Sequence, residues 1–202
     1  MERLIEGFRR FRASYFRDHG ELFADLAQHG QSPHALIVSC CDSRVDPQLL
    51  FSTQPGDIFV IRNVANLVPP YDPSSGYHGT SAALEFGVRS LRVKNVVVLG
   101  HKHCGGVQAL LQQTVRPTGE FIGPWMNIAW PARERAIAAG PPETHQTLCE
   151  KEVIRESVYN LRTFPWISEA EAKGEIRIHG WYFDVGRGEL LAMNDHGGFD
   201  LI

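Results

Sequence analysis

Long hydrophobic runs are missing from this sequence, and no stretch approaches the ~20 apolar residues that cross a bilayer, so no membrane partner is expected. A charge excess is missing as well. Lys and Arg number 20 against 23 Asp and Glu, a formal net charge of −3 that leaves no electrostatic footprint for nucleic acid. The opening residues, Met1 to Arg12, lack the apolar core and small-residue cleavage site of a secretory signal. Glu2, Glu6 and Asp18 sit among Arg9, Arg10, Arg12 and Arg17, which disfavours a transit peptide and predicts an amphipathic helix docked on protein, in a cytoplasmic chain. Cysteine is scarce. Cys40, Cys41, Cys104 and Cys149 include no Cys-x-x-Cys pair, so neither a disulfide framework nor a zinc knuckle is expected, and the thiols are read as free or metal-bound in a reducing compartment. Repeats, low-complexity tracts and long linkers are also absent, which predicts a single domain over 1–202 with residues 1–30 as a helical arm at a subunit interface.

What is present is a 43% hydrophobic content, enough for a proper core, arranged as short β-branched runs between helical stretches. Ala35–Ser39, Asp57–Arg62 and Asn95–Leu99 are apolar runs bounded by turn residues, as in parallel strands buried on both faces. Thr80–Leu91, Pro124–Ala139 and Pro142–Phe164 carry helical spacing, and residues 1–30 read as two helices broken near His19-Gly20. Cys149, Val153, Ile154, Val158 and Leu161 form one stripe of the longest helix. Ile176–Phe183 and Glu189–Ala192 flank Val185-Gly-Arg-Gly188 as a hairpin, and the proline-rich Leu67–Tyr77 segment is expected to line the site or a subunit contact. The fold class is α/β: a mostly parallel central sheet with helices on both faces, an antiparallel edge strand and an N-terminal helical arm.

Two strands run directly into reactive residues, Ser39-Cys-Cys-Asp-Ser-Arg44 and Gly100-His-Lys-His-Cys-Gly-Gly106. Ligands of open parallel sheets bind outside the carboxyl ends of the strands, so the two clusters are expected to meet there. Two thiolates and an imidazole suit zinc, and three protein ligands leave the fourth position for water. Along an extended chain Cys40 and Asp42 share a side while Cys41 faces away, so Cys40 is taken as the ligand and Cys41 as a small buried hydrophobe. His101 and Cys104 stand at i and i+3, whereas His103 and Cys104 would form a strained chelate, so His101 is taken as the imidazole ligand. Arg44 is close enough to pair with Asp42.

The pattern Cys40-x-Asp42-x-Arg44 followed by His101-x-x-Cys104-Gly-Gly, with Arg62-Asn-Val-Ala-Asn66 between, resembles the β-class carbonic anhydrases. Val68-Pro-Pro-Tyr-Asp72 and Cys149-Glu-Lys-Glu152 bring it nearest the plant-type branch. The resemblance implies one zinc ion per subunit on Cys40, His101 and Cys104, and reversible hydration of carbon dioxide to bicarbonate by zinc-bound hydroxide. It implies Asp42 and Arg44 as a catalytic dyad, with Asp42 a fourth zinc ligand in a closed state of some members. It further implies Gln31 as a substrate hydrogen-bond donor, Phe59 and Val64 as apolar walls for carbon dioxide, and Gly105 and Gly106 as a helix opening whose amide reaches the anionic product. The chain departs from the family at Phe86, where plant-type enzymes commonly carry tyrosine. Ile37 and Phe183 replace a tryptophan and a tyrosine of the bicarbonate-inhibited subtype, so that inhibition is not expected. The implied assembly is a homodimer or higher homo-oligomer.

Three other readings compete. Hydrolysis of carbon disulfide or carbonyl sulfide would use the same zinc site. A cysteine phosphatase needs an arginine six residues after its cysteine, and Leu110 and Pro47 stand at those positions. A non-catalytic, zinc-stabilised assembly protein would need none of Gln31, Asp42 and Arg44.

Overall fold

The computed structural model describes residues 1–202 apart from Ser75 and Pro117, so the Ser75 part of the Leu67–Tyr77 loop lies outside the described residues. Strands β1 (Ala35–Cys40), β2 (Ile58–Asn63), β3 (Asn95–His101), β4 (Arg177–Asp184), β5 (Glu189–Met193) and β6 (Phe199–Leu201) form one sheet in the order β2-β1-β3-β4-β5-β6. The first four are parallel, and β5 and β6 extend the β4 edge antiparallel. One antiparallel edge strand is therefore two. The three-residue β6 carries too little periodicity to be seen in the sequence.

Helices follow in the order α1 (Glu2–Phe11), α2 (Gly20–His29), α3 (Pro47–Leu50), α4 (Gly79–Glu85), α5 (Gly105–Leu111), α6 (Ile122–Met126), α7 (Trp130–Ala139), α8 (His145–Leu161) and α9 (Pro165–Ala172). The helix expected over Thr80–Leu91 is α4 continued by a π-helical turn, Phe86–Ser90. That expected over Pro124–Ala139 is α6 and α7 joined by a 3-10 turn, Asn127–Ala129. Past α8 the chain extends at Phe164 (ψ 115°), as a residue before proline prefers, and Pro165 then opens α9. The helix expected over Pro142–Phe164 is thus a 3-10 turn, Pro142–Thr144, followed by α8, and α9 is a separate helix beyond it.

The strands β1 and β3 are buried almost throughout, which is why they read as unbroken apolar runs. Leu36, Val38, Val96 and Val98 meet Ile154, Val158 and Leu161 of α8 on one face. Ala35, Ile37, Val97 and Leu99 pack on the other against Val45, Leu50 and Phe51 around α3. The register Ser39↔Leu99 makes the two strands finish together, with Cys40 ending β1 and His101 ending β3. The arm breaks at His19 (φ −118°, ψ 28°), as the sequence predicts, and neither α1 nor α2 contains a buried residue. No helix among the described residues is long and apolar enough to cross a membrane.

Candidate metal centre

Cys40 and His101 arrive on adjacent strand ends, and Cys104 arrives on the turn that opens α5. Their ligand atoms all lie within 4.8 Å of one another, and the two sulfurs are 4.0 Å apart. All three side chains are buried. His101 Nδ1 lies 3.0 Å from the Lys102 carbonyl and donates to it, which turns the bare Nε2 toward the cluster. That Nε2 is buried without a hydrogen-bond partner, an arrangement that fits a metal ligand and little else. The thiols point the same way. The Cys104 hydrogen bond, with the amides of Asp42 and Ala65, drives Cys40 well below an ordinary thiol despite its burial. Cys40 and burial together push Cys104 up, against the amides of Gly106 and Val107. A dication held by Cys40, His101 and Cys104 would stabilise both sulfurs as thiolates, so the donor set fits zinc.

Asp42 lies beside this cluster, with Oδ2 at 3.9 Å from His101 Nε2. Arg44 holds it with a two-pronged grip, Nε to Oδ1 at 2.9 Å and Nη2 to Oδ2 at 2.7 Å, while the Arg44 amide adds 3.0 Å to Oδ1. These hydrogen bonds outweigh desolvation and keep the Asp42 carboxyl far below the usual carboxylate range. Arg44 Nη2 also donates to the His103 carbonyl at 2.9 Å, which ties the two reactive segments together. His103 itself has φ 58° and serves as the turn that brings Cys104 back to the metal side.

The remaining predicted residues spread outward. Val64 opens a 3-10 turn, and a side chain on Gly106 would sit 2.9 Å from Val64 Cγ1, so glycine there permits close approach. The Gly106 amide is given to the Cys104 sulfur, whereas a Cβ on Gly105 would meet nothing within 4 Å. Phe59 is half-buried on β2, its ring 5.9 Å from that of Phe86. Gln31 is exposed beyond the end of α2 and makes no hydrogen bond to the cluster. Cys149 is buried on α8, and burial pushes its thiol up to about 12. Cys41 corrects the expectation, since it is exposed: β1 ends at Cys40, and the alternation that would have turned Cys41 inward stops with it.

Four residues around the site have no role assigned by the sequence, although Arg62 and Glu150 lie in motifs that carry the family resemblance. Arg62 donates from β2 to the carbonyls of Cys40 (3.0 Å), Asp42 (2.8 Å) and Val45 (3.0 Å), holding the loop that carries the dyad. Glu150, Gln146 and Tyr182 meet behind Cys104. Glu150 stands on the stripe of Val153, Ile154 and Val158, and an acid on an apolar stripe is the signal that could have revealed it.

A mostly parallel sheet that gathers two thiolates and an imidazole at its carboxyl edge, with an ionised aspartate alongside, defines a mononuclear zinc enzyme of the α/β class. The carbonic anhydrase family model matches residues 35–190. A carbonic anhydrase of Synechocystis sp. is 36% identical across 96% of this chain and 71% of its own length. The chloroplastic β carbonic anhydrase 5 of Arabidopsis thaliana is 40% identical across 88% of this chain and 59% of its own. Of the solved structures, the β-carbonic anhydrase CcaA superposes with a TM-score of 0.90 at 34% identity, covering 100% of this chain and 92% of that one. A tetrameric β-carbonic anhydrase of Sordaria macrospora gives 0.83 at 28% identity, covering 96% of each chain. The chain belongs to the carbonic anhydrases, in their β class, enzymes of reversible carbon dioxide hydration whose cofactor is zinc.

Proposed function

We propose that carbon dioxide hydration in this chain runs on zinc held by Cys40, His101 and Cys104, one ion per subunit, with Asp42 and Arg44 as the catalytic pair. The observation that carries this reading is the buried, partnerless His101 Nε2 facing two sulfurs on one side and the Asp42 carboxylate on the other. When bound, zinc supplies a Lewis acid that makes a water nucleophilic near neutral pH.

The protein's own groups do the rest. Asp42 stays ionised across neutral pH because Arg44 grips it, so it can only accept a hydrogen bond. Its Oδ2 therefore orients an attacking O–H and turns that oxygen's lone pair toward the carbon of carbon dioxide. Phe59 and Val64 offer an apolar wall to a substrate without a dipole, and the Gln31 amide donates to one of its oxygens. The new C–O bond gives bicarbonate, a proton leaves to solvent, and the open space beside Gly105 accommodates the anion. Phe86 places a ring without a hydroxyl beside Phe59, so any polar contact there comes from another group.

The tetrameric relative and the exposed arm support a homodimer or higher homo-oligomer, and residues 1–202 are read as one domain with the arm at its interface. A cytoplasmic setting suits the free thiols. The test is stopped-flow hydration of carbon dioxide beside carbonyl sulfide and carbon disulfide, before and after chelation. Activity on carbon dioxide alone, abolished by zinc removal and restored by zinc, is expected. A zinc-replete protein inactive on carbon dioxide would reject the reading.

A further inference from the structure

Glu150 is 2% exposed, and among the described residues it makes no ion pair. Its Oε1 accepts the Cys104 amide at 3.0 Å and its Oε2 accepts the Tyr182 hydroxyl at 2.8 Å. Gln146, one turn earlier on α8, donates to Glu150 Oε1 at 2.5 Å and to the Cys104 carbonyl at 3.2 Å. Burying a carboxylate is costly, and an apolar side chain on the α8 stripe would pack there without that cost. What the carboxylate touches accounts for its presence.

The Cys104 amide and the His103 carbonyl belong to one peptide unit. Arg44 Nη2 holds its oxygen at 2.9 Å from the front, and Glu150 holds its N–H at 3.0 Å from behind. That unit follows the left-handed His103, φ 58°, where a side chain strains the backbone and neighbours must fix it. Rotation of the unit would swing the Cys104 sulfur, whereas zinc–thiolate bonds hold near 2.3 Å. Tyr182 stands opposite Gly100 in the sheet, so the carboxylate also fixes the loop to β4.

We propose that Glu150 is a positioning residue for the metal centre: its buried carboxylate clamps the 103–104 peptide, opposite Arg44, and sets the reach of the Cys104 thiolate. The inference rests on the zinc reading above and concerns hydrogen-bond geometry. Glu150→Gln keeps an acceptor for the Cys104 amide and offers its NH2 to the Tyr182 oxygen. Glu150→Ala leaves that amide buried and orphaned, and Glu150→Asp retains the carboxyl group but withdraws it by one methylene.

The deciding measurement is zinc affinity by competition with a chromophoric chelator, paired with the thiolate-to-cobalt absorption band of the cobalt-loaded proteins. E150A and E150D should bind zinc about 10- to 100-fold more weakly with an altered cobalt band, and E150Q should stay within about threefold of wild type. Val158→Ala truncates another buried α8 side chain and controls for a general loss of stability. It should leave zinc affinity unchanged. If E150A does not fold, E150D and E150Q carry the comparison. Wild-type affinity in a folded E150D, E150Q as weak as E150D, or equal weakening in V158A would each overturn the proposal. Failure of wild-type protein to take up one zinc per subunit would reject the zinc site itself, a separate outcome.

Discussion

Arg44 does two jobs with one guanidinium. It keeps Asp42 ionised through paired hydrogen bonds, and it reaches the His103 carbonyl on the loop that delivers Cys104. Arg44 does not touch the metal ligands' donor atoms, so Arg44→Ala should still take up one zinc at saturating metal, with affinity weakened by loss of its half of the peptide clamp. The kcat/KM of the zinc-saturated protein should fall by about 100-fold, the lower end for loss of a positioned proton-handling group. Arg44→Lys should recover little, because an ammonium cannot reproduce the planar fork. Zinc analysis beside stopped-flow hydration separates the outcomes, and loss of the metal in R44A would assign Arg44 to metal retention instead. The meeting of the two reactive segments was legible in the sequence, because strand ends in a parallel sheet face one crevice. Asp42 and Arg44 lie past the end of β1, where alternation no longer applies, and are placed by the hydrogen bonds of the loop. Glu150 is legible only as an acid on an apolar stripe, and its role is not: its partner is the backbone of a residue 46 positions away, and a backbone amide leaves no mark on composition.

At the scale of elements, α8 is seated in a groove made by glycines. A Cβ on Gly100 of β3 would lie 2.7 Å from Ile154, and one on Gly180 of β4 would lie 2.8 Å from it. Ile154 is fully buried there. Ile154→Ala should therefore cost about 2–5 kcal/mol, from lost transfer energy plus a cavity the rigid strands cannot close, read as a lowered urea midpoint. The β4–β5 hairpin is fixed differently. Asp184 accepts Lys102 Nζ at 2.7 Å and the amides of Gly186 (2.9 Å) and Arg187 (3.2 Å). The Lys102 hydrogen bond, outweighing burial and helped by the two amides, holds the Asp184 carboxyl below its usual range. A depressed carboxyl stabilises the fold fully above the ordinary value of about 3.9 and loses that contribution as pH falls through the lower folded value. Asp184→Asn should thus cost about 2 kcal/mol near neutrality. Its urea midpoint should trail wild type by a constant gap between pH 7 and 5 and close on it toward pH 3, both proteins being kept in chelator. A gap that widens on acidification would reverse the assignment. The helical stripe of α8 and the hairpin turn were visible as patterns. The short α3, α9 and β6 were not, because three to eight residues give periodicity no room and their places are set by Pro47, Pro165 and pairing with β5.

For the whole molecule, the arm is where large apolar side chains stay uncovered. Leu4 is 70% exposed, Ile5 50% and Phe8 61% on α1, and Phe16 is 42% exposed at the end of the π-helical turn Arg12–Phe16 that follows it; neither segment buries a residue in its own chain. The Phe11, Tyr15, Phe16 and Phe23 rings cluster among themselves, with Phe16 and Phe23 4.8 Å apart, and the arm reaches the domain where Leu26 lies over Gly56. A contiguous apolar surface of this kind on a small domain is usually covered by a partner, and a C2 contact covers both copies at once. Replacing Leu4 and Phe8 together by Asp should lower the sedimenting mass at micromolar concentration toward that of one chain. Gln31 stands at the foot of the same arm and makes no bond to its own chain's metal cluster. If the assembled arm is what brings this amide to substrate, L4D/F8D should lose activity to about the extent that Gln31→Ala does, with zinc retained by both. A monomeric variant with wild-type hydration kinetics would detach the arm from catalysis and leave it a purely structural contact.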